Sequence, residues 1–141
     1  MNFLRIVLAA LGAFVGYMAL GFAVFGLFPS LKTEFRKYPA VYRDEKGQMS
    51  HMPIAMAEIL VSMFVLAALY ALAYQGGSGL VEGARFGALI GVFAICAFVL
   101  HNYANLNIGL KLTLQQSAAY FAEWLAVGIV MGLIYRPVLS H

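Results

Sequence analysis

A set of polar side chains lies in or at the ends of the long apolar stretches of this chain, and any chemistry it performs would reside there: Glu58, Ser62, His101, Asn102, Asn105, Gln116 and Glu123. Carboxylates and an imidazole can exchange protons, bind a cation or ligate a metal, whereas amides and a hydroxyl offer hydrogen bonds alone. Such groups are costly within a bilayer and face protein or a water-filled cavity. Helical periodicity predicts where they point. Eighteen residues, five full turns, separate His101 from Gly83 and Asn105 from Gly87, which puts His101 and Asn105 on the glycine stripe of their helix. Gln116 and Glu123 are seven apart and share nearly one face with Tyr120, while Glu58 and Ser62 are one turn apart. Depth agrees with rotation: Glu58 lies roughly 8 Å beyond Pro53, and Glu123 roughly 10 Å deeper than Gln116. These groups are expected in one half of the bilayer, where one convergent polar pocket is possible.

Three chemistries fit such a cluster. Interhelical hydrogen bonds that fix register are the expected role. A proton-linked or ligand-binding pocket with Glu58 and Glu123 as coupling groups is the alternative. A metal or haem site comes third, since no pair has the His-x-x-x-His type of spacing. His51 falls at headgroup level, too far out to share a haem axis with His101, and His141 is terminal. Cys96 is the one cysteine, so an intrachain disulfide is excluded and the residue reads as packing. Met49, Met52, Met56 and Met63 read as flexible packing rather than copper ligands. No nucleophile constellation, phosphate loop or metal motif is present, so no catalytic residue is expected and no cofactor is implied.

The elements that must position these groups are membrane helices. Apolar runs cover 3–28, 53–74, 84–100 and 117–135, and about 20 helical residues cross a hydrocarbon core. With 63% hydrophobic and 11% charged residues and a mean hydropathy of +0.86, the chain departs from soluble domains, which carry about 25% charged residues. The expected fold is all-α: one integral membrane domain over 1–141, an antiparallel bundle of four transmembrane helices at 3–29, 53–75, 83–105 and 115–136, with an extramembrane loop at 30–52. The first helix is too long for a signal-peptide core and is read as retained. Pro29 ends it, Pro53 starts the second helix in the first turn, and Gln75-Gly-Gly-Ser-Gly79 turns the chain so that the second and third helices are antiparallel neighbours. Thr113-Leu-Gln-Gln116 reads as a capping box for the fourth, and Tyr135-Arg136-Pro137 closes it.

Small residues mark the packing faces: Gly83, Gly87 and Gly91 on the third helix, Gly12 and Gly16 on the first, Gly128 and Gly132 on the fourth. Spacing by four keeps them on one stripe, where a neighbouring backbone can approach closely. Of nine basic residues, Lys32, Arg36, Lys37, Arg43 and Lys46 fall in the loop, and Lys111 shares their side. Arg5, Arg85 and Arg136 occupy the other. The positive-inside rule then puts the loop in the cytoplasm and both termini outside. The acidic residues mixed into that loop suit lipid headgroups rather than nucleic acid.

In Met52-Pro53, the run Glu82-Gly-Ala-Arg85-Phe-Gly87-x-x-x-Gly91 and Ile134-Tyr-Arg-Pro137, the chain resembles a loosely defined set of small bacterial four-helix membrane proteins of uncharacterised activity. The similarity runs over most of the chain from the loop onward and implies fold and a bacterial cytoplasmic-membrane location. In size the chain is also similar to small multidrug-resistance transporters, but those carry their essential glutamate in the first helix, which here has no acidic residue. The expected role is a non-catalytic accessory or scaffold subunit whose partners are lipid and other membrane subunits or further copies of itself. A small oligomeric proton-coupled transporter is the alternative, and a membrane enzyme or haem or metal protein the third.

Overall fold

Capping and proline chemistry set most of the helix ends. In the computed structural model, described here for residues 2–135, Asn2 caps helix α1 (Phe3–Leu27) by accepting the Arg5 N–H at 3.1 Å. Pro29, which has no N–H to continue the ladder, opens the short helix α2 (Pro29–Phe35). Asp44 caps α3 (Glu45–Ala73), its Oδ1 accepting the Gly47 N–H at 2.7 Å. The remaining helices are α4 (Gly79–Asn105) and α5 (Leu110–Ile134). The four long helices α1, α3, α4 and α5 are each long and apolar enough to cross a membrane, and the described residues contain no strand.

Several boundaries differ from the sequence expectation. The second spanning helix begins at Glu45, so Pro53 lies within it rather than in its first turn. The Asp44 cap fixes the start, and the helix is longer than a span requires: 29 residues rise about 43 Å against a hydrocarbon core of about 30 Å. The last helix begins at Leu110 rather than near 115. Thr113 therefore sits in its first turn, where its hydroxyl donates to the Gly109 carbonyl at 3.1 Å, and no side chain caps that end.

The segment expected as a loop over 30–52 is folded. Leu31, Ile108 and Leu112 form a small buried core with Val24, Phe35, Tyr38, Val41 and Tyr42 around it. The Gly109 N–H donates to the Tyr38 hydroxyl at 2.9 Å, tying this cap to the turn before α5. Glu34, 3% exposed, accepts from the Nζ groups of Lys37 and Lys111, each at 2.7 Å, and so links α2 to α5. These two ammonium groups hold its carboxyl below the usual carboxylate range.

In space the long helices follow the order α4, α5, α1, α3. The glycine faces dictate this. A Cβ added at Gly87 would stand 2.9 Å from the Leu125 Cα, one at Gly132 2.9 Å from the Gly83 Cα, and Gly83 and Gly128 meet through backbone atoms. Bare backbones let α4 and α5 close upon each other along their length, which in lipid supplies the association that the hydrophobic effect cannot. Gly91 meets Phe121 of α5, while Gly12 and Gly16 receive Ile134 and Val130.

Helices α3 and α4, joined by the glycine turn, are consequently not close neighbours. Gly76, at φ +89°, occupies the left-handed region that the turn requires, and Glu82 accepts the Gln75 and Gly77 N–H groups. Beyond the turn, Tyr70 of α3 packs edge-on against Phe86 and Tyr135, with ring centroids 5.3 and 6.0 Å apart. At the opposite end α3 is almost wholly exposed from Glu45 to Glu58. It is pinned at the turn and stands away from α5 at the other end.

Candidate functional site

That divergence opens a cleft of about 1220 Å³ between α1, α5 and the first turns of α3, roofed by α2 and the segment after it. Its apolar walls come from α1 and α2, with Met18, Phe22, Phe25 and Phe35, and from Met49 and Met52 of α3. Charged residues gather at the mouth. There Glu45 pairs with Lys32 at 2.8 Å and with Arg36, so the end of α3 is latched to α2.

Glu123 is the one acidic residue in the interior of the cleft, and it is only 7% exposed. It lies thirteen residues into α5, roughly 20 Å along the helix and thus near the middle of its span. Gly21 of α1 makes room for it: a Cβ there would be 3.8 Å from Glu123 Oε1. The Tyr17 hydroxyl approaches its carboxylate, and Tyr120 lies close enough to interact with it through space. Tyr17 also stacks at a tilt on Trp124, centroids 5.4 Å apart.

Of the groups that the sequence places in one pocket, Gln116, Asn102 and Glu123 line the cleft. Gln116 reaches Tyr42 through its Nε2, at 3.5 Å, and its Oε1 is buried with no protein partner. Glu58 and Ser62 are exposed, and the Ser62 hydroxyl donates to the Glu58 carbonyl of its own helix at 2.8 Å. Glu58 does not line the cleft.

His101 and Asn105 are exposed and bond to each other's turn, the Asn105 amide donating to the His101 carbonyl at 2.8 Å. They are therefore not on the glycine stripe. Residues Ile95–Leu100 of α4 are wound as π-helix, whose longer turn inserts about one residue and sets everything beyond it back by about 100°. Buried positions accordingly run Gly83, Gly87, Gly91, Ala94 and Val99, and Asn102 rather than His101 faces the cleft.

Sequence reasoning missed Tyr17, Met18 and Gly21. The available signal was a tyrosine one turn before a glycine in a span whose only other polar side chain, Arg5, lies in the first turn. Among the described residues, no three His, Cys, Asp or Glu side chains come together in a way that could hold a metal ion. Arg136, Pro137 and His141 lie outside the described residues.

Compared with protein-family models, with curated proteins and with solved structures, the chain matches none.

Proposed function

We propose that the chain binds a membrane-soluble small molecule in the cleft between α1, α3 and α5 and acts as a carrier, with Glu123 as its functional carboxylate. The observation that carries this reading is the cleft itself. Its volume of about 1220 Å³ exceeds the roughly 300–1,000 Å³ of ordinary small-molecule sites. It combines aromatic and methionine walls with a few polar groups, the composition that holds and orients an apolar ligand. Glu58 stands outside it, so the coupling role that sequence shared between two carboxylates falls to Glu123.

The test uses the single tryptophan, Trp124, as donor for energy transfer to the neutral apolar dye N-phenyl-1-naphthylamine, with the full chain in nanodiscs. Saturable transfer above the lipid background is expected, and Ala119→Phe, which fills the cleft, should remove the saturable part. Transfer that is non-saturable and equal in both proteins would overturn the reading.

An accessory subunit in a larger assembly, or a homo-oligomer, is the second reading. In its favour, α3 is exposed over its first turns, and a partner helix of about 10 Å diameter could lie against it. Native mass spectrometry from mild detergent tests this through a stoichiometric partner. Under either reading the protein sits in a bacterial cytoplasmic membrane with 30–52 cytoplasmic and both termini outside, on the six-to-three distribution of basic residues.

A further inference from the structure

The interior of the cleft is asymmetric in charge. Lys32, Arg36, Arg43, Asp44 and Glu45 line it at the mouth, where cations and anions nearly balance. Deeper in, Glu123 has no basic residue of the lining near it, and its companions are aromatic rings. The titratable groups beside it come from two helices, Tyr17 from α1 and Tyr120 from its own, while Glu58 of α3 is exposed and outside the cleft lining. None is a cation. An unpaired carboxylate at this depth is costly, and either a proton or a positively charged ligand removes that cost. Tyrosine faces attract a desolvated cation as well, most strongly away from water.

We infer that the ligand of this cleft is a lipophilic monocation, its charge taken up by the Glu123 carboxylate between Tyr17 and Tyr120 and its apolar body by the Met18, Phe22 and Phe25 wall. The inference rests on the cleft-binding reading above and adds the class of ligand. Binding is an exchange: the carboxyl O–H of Glu123 breaks, its proton leaves to water at the mouth, and the carboxylate pairs with the entering cation. Charge in the cleft is conserved. Access is from the side that α3 leaves open, because the Glu45 latch to Lys32 and Arg36 closes the mouth to a bulky ligand.

Tetraphenylphosphonium and tetraphenylborate are suitable probes, being close in size and opposite in sign. Binding to the full chain in zwitterionic nanodiscs is measured by calorimetry, in two buffers of different ionisation enthalpy so that proton release is counted. The expected result is saturable binding of tetraphenylphosphonium and none of tetraphenylborate above the lipid background. Affinity should fall at least tenfold in Glu123→Gln, and proton release should vanish in that variant. Glu58→Gln should change affinity less than threefold.

Equal binding of the two probes, or unchanged tetraphenylphosphonium binding in a folded Glu123→Gln protein, would overturn the inference. So would absent tetraphenylphosphonium binding. If the neutral dye still binds saturably, the cleft-binding reading survives that failure; if it does not, both fall. Should Glu123→Gln not fold, the comparison of the two probes on the unaltered chain decides alone.

Discussion

Gly128→Ala tests whether the α4–α5 contact is what orders the helices. A Cβ at Gly128 would stand 2.5 Å from the Cα and the N of Gly87, backbone atoms that no side-chain rotation can move aside. Ordinary contact starts near 3.4 Å, so the backbones must part by about 1 Å. A gap of that order forfeits about a quarter to a half of each dispersion contact, and overpacking of a tight interface costs about 1–3 kcal/mol. Helix propensity returns about 1 kcal/mol on replacing glycine by alanine. The net expectation is destabilisation by up to about 2 kcal/mol, and its midpoint of about 1 kcal/mol shifts the unfolding equilibrium roughly fivefold. Gly26→Ala is the control, since a Cβ there meets nothing within 4 Å and only the propensity gain remains. The assay is unfolding of the bundle in mixed micelles by increasing dodecyl sulfate, read from Trp124 emission. Opposite signs for the two variants are expected. Equal responses, or a more stable Gly128→Ala protein, would refute the idea that bare backbone at this crossing holds α4 to α5.

Acid should loosen the cap over α5. The Glu34 carboxyl is depressed by Lys111 and Lys37, so its contribution is present above the unfolded carboxylate value of 4.5 and disappears as pH falls through the lower folded value. Protection of the amides over 28–44, taken relative to their intrinsic exchange rates at each pH, should fall between neutral and acidic pH, and Glu34→Gln should be poorly protected throughout; protection that does not change with pH in the unaltered chain would count against the linkage. The π-turn makes a rotational prediction: on a Cys96→Ser background, a spin label at Asn102→Cys should be restricted and one at His101→Cys exposed to lipid-soluble oxygen. The reverse order would mean that α4 winds as an uninterrupted α-helix. Topology is checked by reporter fusions, expected to be cytoplasmic when inserted at Gly47 and periplasmic when placed after His141. Glu123→Gln should keep the fold and Glu123→Leu should lose stability, because only the leucine leaves the Tyr17 hydroxyl facing apolar atoms; equal melting of the two would remove the Glu123–Tyr17 contact from the stabilising set.

Hydropathy and spacing by themselves determined the four spans and the small-residue faces. Both are local properties: about 20 apolar residues suffice to cross a bilayer, and glycines four apart lie on one stripe whatever else the chain does. The folded segment 30–52 was legible only in part. Pro53 offered a helix start that competed with the Asp44 cap, and the partners Ile108 and Leu112 of the segment's apolar residues lie some seventy residues away. Tertiary structure alone decided which polar residues meet. The choice between α and π winding at Ile95–Leu100 is a small local difference that packing against α5 can tip, and it exchanges His101 for Asn102 at the cleft. Likewise, that Glu123 lines the cleft and Glu58 does not follows from the divergence of α3. That divergence arises because the glycine faces commit α4 to α5, leaving α3 held by aromatic contacts at the turn, by α1 and by the Glu45 pairs to α2 at its other end. Interhelical fit of this kind is a property of pairs of surfaces, which no single stretch of sequence carries.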